Sequence, residues 1–227
     1  MKRLLSLLVV PALLYAISAA GADSGSGPAF DLYGQYEPVT PPQPTPSADK
    51  VEVIELFWYG CPHCFELEPY VKRWLASKPA YVTFVRMPAV FAKNPLWLLH
   101  AQAFYTAEAL GVLDRIHGAL FDAYHKEKRP LDTKERLAAV FKEQGVSEED
   151  FARAWDSFAV QSRVRQATAL TERYGIDGVP AVIVNGKYRT SGSLTGTYAN
   201  LFKVVDALVE QEHRGLSAPL STKDAVR

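Results

Sequence analysis

A strand that runs directly into a cysteine-bearing helix start constrains this chain more than any other stretch. Val51-Glu52-Val53-Ile54-Glu55-Leu56-Phe57-Trp58 is a nearly continuous β-favouring run, the pattern of a central strand buried on both faces. Gly60 ends it. From Cys61 the period changes, with Phe65, Leu67, Glu68, Tyr70, Val71, Trp74 and Leu75 at spacings of three and four before Pro79. Residues 81–87 then read as a second strand. The result is β–turn–α–β, with Cys61-Pro62-His63-Cys64 at the strand-to-helix turn.

Cys61 and Cys64 are the only cysteines in 227 residues, so they can bridge only each other. That count excludes a disulfide-stapled miniprotein, a four-cysteine zinc ribbon and an iron–sulfur protein. Cys61 falls near the cap and first turn, where unpaired backbone N–H groups and the positive end of the helix dipole favour a thiolate. Pro62 costs no hydrogen bond there and presets the helical φ. His63 adds a polar or positive neighbour between the sulfurs. A lowered pKa makes Cys61 a good leaving group, and stabilising the reduced form makes the disulfide one that is passed on. A purely structural bridge closing so short a loop removes little chain entropy. A metal site would have at most Cys61, His63 and Cys64 as nearby ligands, and adjacent positions rarely converge on one ion. No metal and no cofactor are expected.

The chain ahead of this core divides by composition. Lys2 and Arg3 precede an apolar run from residue 4 to 17, and the small residues Ser18, Ala19, Ala20, Gly21 and Ala22 follow. The run is too short and wrongly flanked for a spanning helix, and reads as a signal peptide over 1–22. Residues 23–49 are an extended segment: Phe30 to Tyr36 suggest a short edge strand, and Pro41, Pro42, Pro44 and Pro46 a stiff connector serving as a spacer. Removing Lys2 and Arg3 leaves 23 basic against 25 acidic residues, a net of −2, which gives no reason to expect nucleic-acid or membrane-surface binding. The expected mature protein is exported, not itself a membrane protein, and able to keep a disulfide.

Beyond the second strand, start and stop signals divide a long helical stretch. Pro95 opens a helix ending at Gly111, and Asp132 or Thr133 caps one ending at Gly145. Ser147-Glu148-Glu149-Asp150 is a capping pattern, and Gly175 ends the last helix. Strand chemistry returns over 179–184, Asn185-Gly186 signals a type I′ hairpin, and 187–190 form its return strand. A final helix over 197–213 stops at Gly215. The histidines at 100, 117, 125 and 213 read as packing or surface residues, and Trp74, Trp97 and Trp155 as core. Trp58 and Tyr59 either line a groove or pack under the turn. Glu55 shares a strand face with Val51, Val53 and Phe57, where a carboxylate is costly unless paired or protonated. It is either a solvated strand-edge residue or a functional acid, and no lysine partner is evident on the strand over 81–87.

The segment Glu55-Leu56-Phe57-Trp58-Tyr59-Gly60-Cys61-Pro62-His63-Cys64-Phe65-Glu66-Leu67-Glu68 resembles the active-site segment of the DsbA family of thiol:disulfide oxidoreductases. Gly178-Val179-Pro180-Ala181-Val182-Ile183-Val184-Asn185-Gly186-Lys187-Tyr188 resembles that family's cis-proline segment, and the likeness extends over about 51–213. It implies an α/β thioredoxin fold, a mixed central sheet flanked by helices, with an inserted all-helical domain. The thioredoxin-like part would be 50–88 plus 176–214, the insert 89–175, and the C-terminal tail 215–227. The resemblance makes Cys61 and Cys64 the catalytic, redox-active disulfide, with Cys61 attacked by a substrate thiolate and Cys64 the leaving thiol. Pro62 and His63 tune the redox chemistry, Glu55 accepts a proton from Cys64, and Val179 and cis Pro180 bind substrate. It further implies a periplasmic monomer that oxidises reduced, unfolded or folding exported proteins and is itself reoxidised by a DsbB-like quinone-linked membrane oxidase. The alternatives are a disulfide reductase or isomerase, or a non-catalytic chaperone or metal-handling module.

Overall fold

The computed structural model describes residues 31–91 and 93–217, so the expected signal peptide and the chain beyond residue 217 lie outside it. Strand β1 (Glu37–Pro38) precedes β2 (Val51–Phe57), α1 (Pro62–Ser77) and β3 (Val82–Pro88). Helices α2 (Pro95–Ala109), α3 (Leu113–His125), α4 (Lys134–Glu143), α5 (Glu148–Trp155) and α6 (Phe158–Arg173) follow. The chain then returns through β4 (Ala181–Val184), β5 (Tyr188–Ser191), α7 (Gly192–Thr195) and α8 (Tyr198–Ser217). The sheet order is β1-β5-β4-β2-β3, with β2 parallel to β3 and antiparallel to β4. Sheet, flanking helices and helical insertion match the expected fold class.

Alternation on β2 sorts two cores. Val51 and Val53 join Val182 and Val184 beneath Leu67, Val71 and Trp74 of α1 and Leu201, Val205 and Leu208 of α8. Ile54, Leu56 and Ile183 point the other way, into a core shared with Phe104, Leu120, Phe141 and Val164 of the inserted helices. Every residue of β2 is buried, the two acids Glu52 and Glu55 included, as a central strand covered on both faces requires.

The caps follow the sequence closely. Asn94 accepts from Leu96 N, Thr133 from Arg136 N and Ser147 from Asp150 N. A further cap at Ser157, accepting from Val160 N and not among the start signals read from the sequence, separates α5 from α6. Asn185 and Gly186 have φ of 51° and 65°, the left-handed pair that a type I′ hairpin needs.

Three expectations need correction. The edge strand forms at Glu37–Pro38, where it can pair with Tyr188 and Arg189, and Tyr36 packs edge-on to Tyr188 at 5.3 Å. The proline connector is no free spacer. Val39 N donates to Lys187 O and Gln43 N to Gly186 O, and a Cβ at Gly186 would lie 2.1 Å from Gln43 O. Finally, α8 runs through Gly215 to Ser217, since a glycine near a helix end costs only about 1 kcal/mol and need not adopt positive φ.

Candidate active site

Cys61 is the N-cap of α1 and Pro62 its first residue, so the turn is built by local rules. Gly60 is required by packing, because a Cβ there would sit 2.4 Å from the Trp58 ring. Trp58 in turn stacks on Trp97 with ring centres 4.6 Å apart, which packs it under the turn. The Cys61 sulfur accepts from Cys64 N at 3.4 Å, and its thiol donates to Val179 O, also at 3.4 Å. Val179–Pro180 is a cis peptide. Strand β4 thus brings the loop before Ala181 against the first turn of α1, although the two lie more than a hundred residues apart.

The two thiols have opposite environments. Cys61 is lowered to about 6, foremost by the hydrogen bond from the Cys64 thiol, with backbone N–H groups and the His63 charge adding to it. Burial pushes Cys64 well above the ordinary thiol range, and the charges of Cys61 and Glu55 act the same way. His63 is exposed on the α1 surface, with Nδ1 3.4 Å from Glu66 Oε2. Beside it an open cavity of about 560 Å³ runs along Val179, Pro180, Ile176, Leu194 and Tyr198. The Tyr198 hydroxyl donates to His63 O at 3.1 Å.

Behind Cys64 the structure assembles groups that the sequence did not connect. Glu55 is 1% exposed, which removes the solvated strand-edge reading. The β2–β3 register sets Arg86 opposite it, with Nε 3.3 Å from Glu55 Oε2 but without hydrogen-bond geometry. Arg86 Nη2 donates to Glu68 Oε2 at 3.1 Å, and His117 Nε2 lies 3.1 Å from Glu68 Oε1. His117 Nδ1 is 3.1 Å from the hydroxyl of Tyr59, a fully buried residue. Burial raises Glu55 to about 8, the charge of Glu68 adds to this, and Arg86 opposes it. Burial also acts on Glu68, but bonds from His117 and Arg86 hold its carboxyl below the usual range. The missing partner of Glu55 was an arginine on the neighbouring strand. Counting both strands in parallel from Val51 and Val82 would have found it. His117, read as packing, lies on a helix whose placement no local pattern supplies.

A mixed sheet with α1 and α8 on one face, a helical insertion on the other, and a perturbed dithiol at a helix start against a cis-proline defines a thioredoxin-fold thiol:disulfide oxidoreductase. Comparison with known proteins narrows the class. Residues 86–199 match the DSBA-like thioredoxin domain family. The thiol:disulfide interchange protein DsbA of Azotobacter vinelandii is 39% identical over 211 residues, covering 93% of this chain and 97% of that protein. The crystal structure of Pseudomonas aeruginosa DsbA superposes with a TM-score of 0.77 at 39% identity, covering 82% of this chain and 95% of that one. DsbA from Xylella fastidiosa gives 0.73 at 31%, covering 79% and 96%. The chain belongs to the DsbA family. Among the described residues no helix is long and apolar enough to cross a membrane.

Proposed function

We propose that this oxidoreductase works as a periplasmic oxidant, donating a Cys61–Cys64 disulfide to reduced, folding exported proteins. The opposite displacement of two thiols within one helical turn carries this reading. A substrate thiolate attacks Cys61 Sγ, the Cys61–Cys64 bond breaks, and Cys64 leaves and takes a proton. A second substrate thiolate attacks the substrate sulfur of the mixed disulfide, forming the product disulfide and expelling Cys61 as its stabilised thiolate. The products are an oxidised substrate and a reduced enzyme. Because the released Cys61 anion is stabilised, the equilibrium favours giving the disulfide away.

The remaining assignments support the same cycle. Pro62 and His63 tune Cys61 from the first turn. Glu55, whose charge acts on Cys64, receives the Cys64 proton when the pair is re-formed and returns it when the pair opens. Val179 and Pro180 form the wall against which the peptide lies, along the cavity of about 560 Å³. The likeness to the family supports a signal peptide over 1–22, a monomeric enzyme, a DsbB-like quinone-linked reoxidant, and an insert bounded near 89 and 175. The test is to equilibrate the protein with glutathione and to follow oxidation of a reduced, unfolded protein containing several cysteines. An oxidant forms disulfides in that substrate stoichiometrically and stays reduced at glutathione ratios that leave ordinary dithiols oxidised. A potential below the glutathione couple overturns the reading in favour of a reductase.

A further inference from the structure

We infer that His117, on the inserted helix α3, is a positioning residue for proton exchange at Cys64: it holds Glu68 on Arg86, so that Glu55 is the carboxyl of the cluster that carries and trades a proton. This deepens the proposed role of Glu55 and rests on it.

The argument is one of charge counting and hydrogen-bond direction. Two carboxylates, Glu55 and Glu68, share the single guanidinium of Arg86, so with both ionised the cluster has one uncompensated negative charge, and Glu55, fully buried beside the half-buried Arg86 and Glu68, is where it costs most. One carboxyl must hold a proton, and the surrounding donors decide which. Glu68 has a donor on each oxygen, His117 on Oε1 and Arg86 on Oε2. Both Glu55 oxygens are buried and accept no hydrogen bond from the described residues. The anion therefore settles on Glu68 and the proton on Glu55.

His117 is suited to impose this choice. Burial pushes its imidazole toward the neutral form. The Tyr59 hydroxyl, which burial keeps protonated, donates to Nδ1, and that fixes the remaining ring hydrogen on Nε2, aimed at Glu68. The groups facing the ring are Glu68 from α1, Tyr59 after β2, Arg86 from β3 and His100 from α2, beyond Tyr59. Phe57, Phe104 and Phe121 enclose the rest of the ring and keep water from substituting for it. When Cys64 leaves as a thiolate, the Glu55 proton passes to its sulfur. The new Glu55 carboxylate then has Arg86 3.3 Å away. On re-formation of the disulfide the proton returns.

The test is a ¹³C titration of the Glu55 carboxyl in the oxidised protein, where Cys64 holds no proton, with Glu55→Gln used to assign the signal. The wild-type midpoint should lie near 8. In His117→Phe, Glu68 loses a donor and gains proton affinity, so Arg86 turns toward Glu55 and its midpoint falls by about one pH unit. His117→Gln places an amide N–H near the former Nε2 and should restore most of the difference. The same displacement should appear in the pH profile of thiol exchange. An unchanged midpoint in a folded His117→Phe protein overturns the inference. Should that variant not fold, Tyr59→Phe removes the tautomer-fixing donor and must lower the midpoint in the same direction, and no movement there is equally fatal. If the wild-type Glu55 signal does not titrate between pH 5 and 10, it is the role of Glu55 that fails.

Discussion

The active site has a mouth and a floor, and they differ in kind although their sulfurs are three residues apart. The mouth is Cys61, His63 and the cis-proline loop, made by a helix cap and one β4 approach. The floor is Cys64, Glu55, Arg86, Glu68 and His117, made by strand register and by a helix from the insertion. At the mouth, donors collect on one sulfur and lower its proton affinity. On the floor, desolvation dominates and raises the proton affinity of both Cys64 and Glu55. In the proposed cycle the mouth supplies a leaving anion, while the floor keeps its proton inside the protein. A CxxC pair with similar surroundings on both sulfurs would have no preferred direction of attack.

Predictions that break the contrast can be ranked by size. Cys61→Ser should abolish oxidation of reduced protein substrates, a loss on the order of a thousandfold or more, read as the rate of disulfide formation. Glu55→Gln should change the pH dependence of stability. The folded Glu55 value of about 8 lies above its ordinary value of 4.5, so the unfolded chain sheds its proton first as pH rises. Oxidised wild-type protein therefore loses stability between pH 4.5 and 8, by on the order of 5 kcal/mol, and denaturant titrations of the variant should lack that loss.

The mouth should show the opposite sign in reduced protein. Cys61 titrates near 6 when folded and 9.0 ordinarily, so its contribution is fully present above pH 9 and fades as pH falls through 6. Reduced protein should gain stability relative to oxidised protein across that window, measured by paired denaturation curves. Cys64→Ala removes the largest single influence on Cys61 and should raise its pKa by about two units, read from thiolate absorbance. His63→Ala removes a smaller one and should raise it by about one unit or less. A larger effect from His63 than from Cys64 would show that the mouth is tuned by charge and not by the partner thiol.

The mouth was legible in the sequence because its causes are local. Pro62 after Cys61 sets a helix start, and Asn185-Gly186 sets the hairpin that carries Pro180 into place. The cis state of Pro180 came from family resemblance, since a sequence alone favours trans. The floor was only half legible. An acid among Val51, Val53 and Phe57 announced a need for a partner, but which residue meets it depends on how β2 and β3 align. His117 was hidden further, because its role depends on where α3 docks. The N-terminal segment escaped for the same reason. Backbone donors at Val39 and Gln43 found acceptors on a hairpin nearly 150 residues away.

The pairing of Glu55 with Arg86 has a consequence for how the sheet assembles. β3 is an edge strand, and edge strands are where pairing slips most readily. A slip of one residue would turn Arg86 to the opposite face and leave Glu55 with an apolar neighbour. The cluster around Glu55 and Arg86 thus acts as an alignment key that penalises the wrong assembly. Length changes should be tolerated in the connection between Ser77 and Val82 far better than within β3 itself.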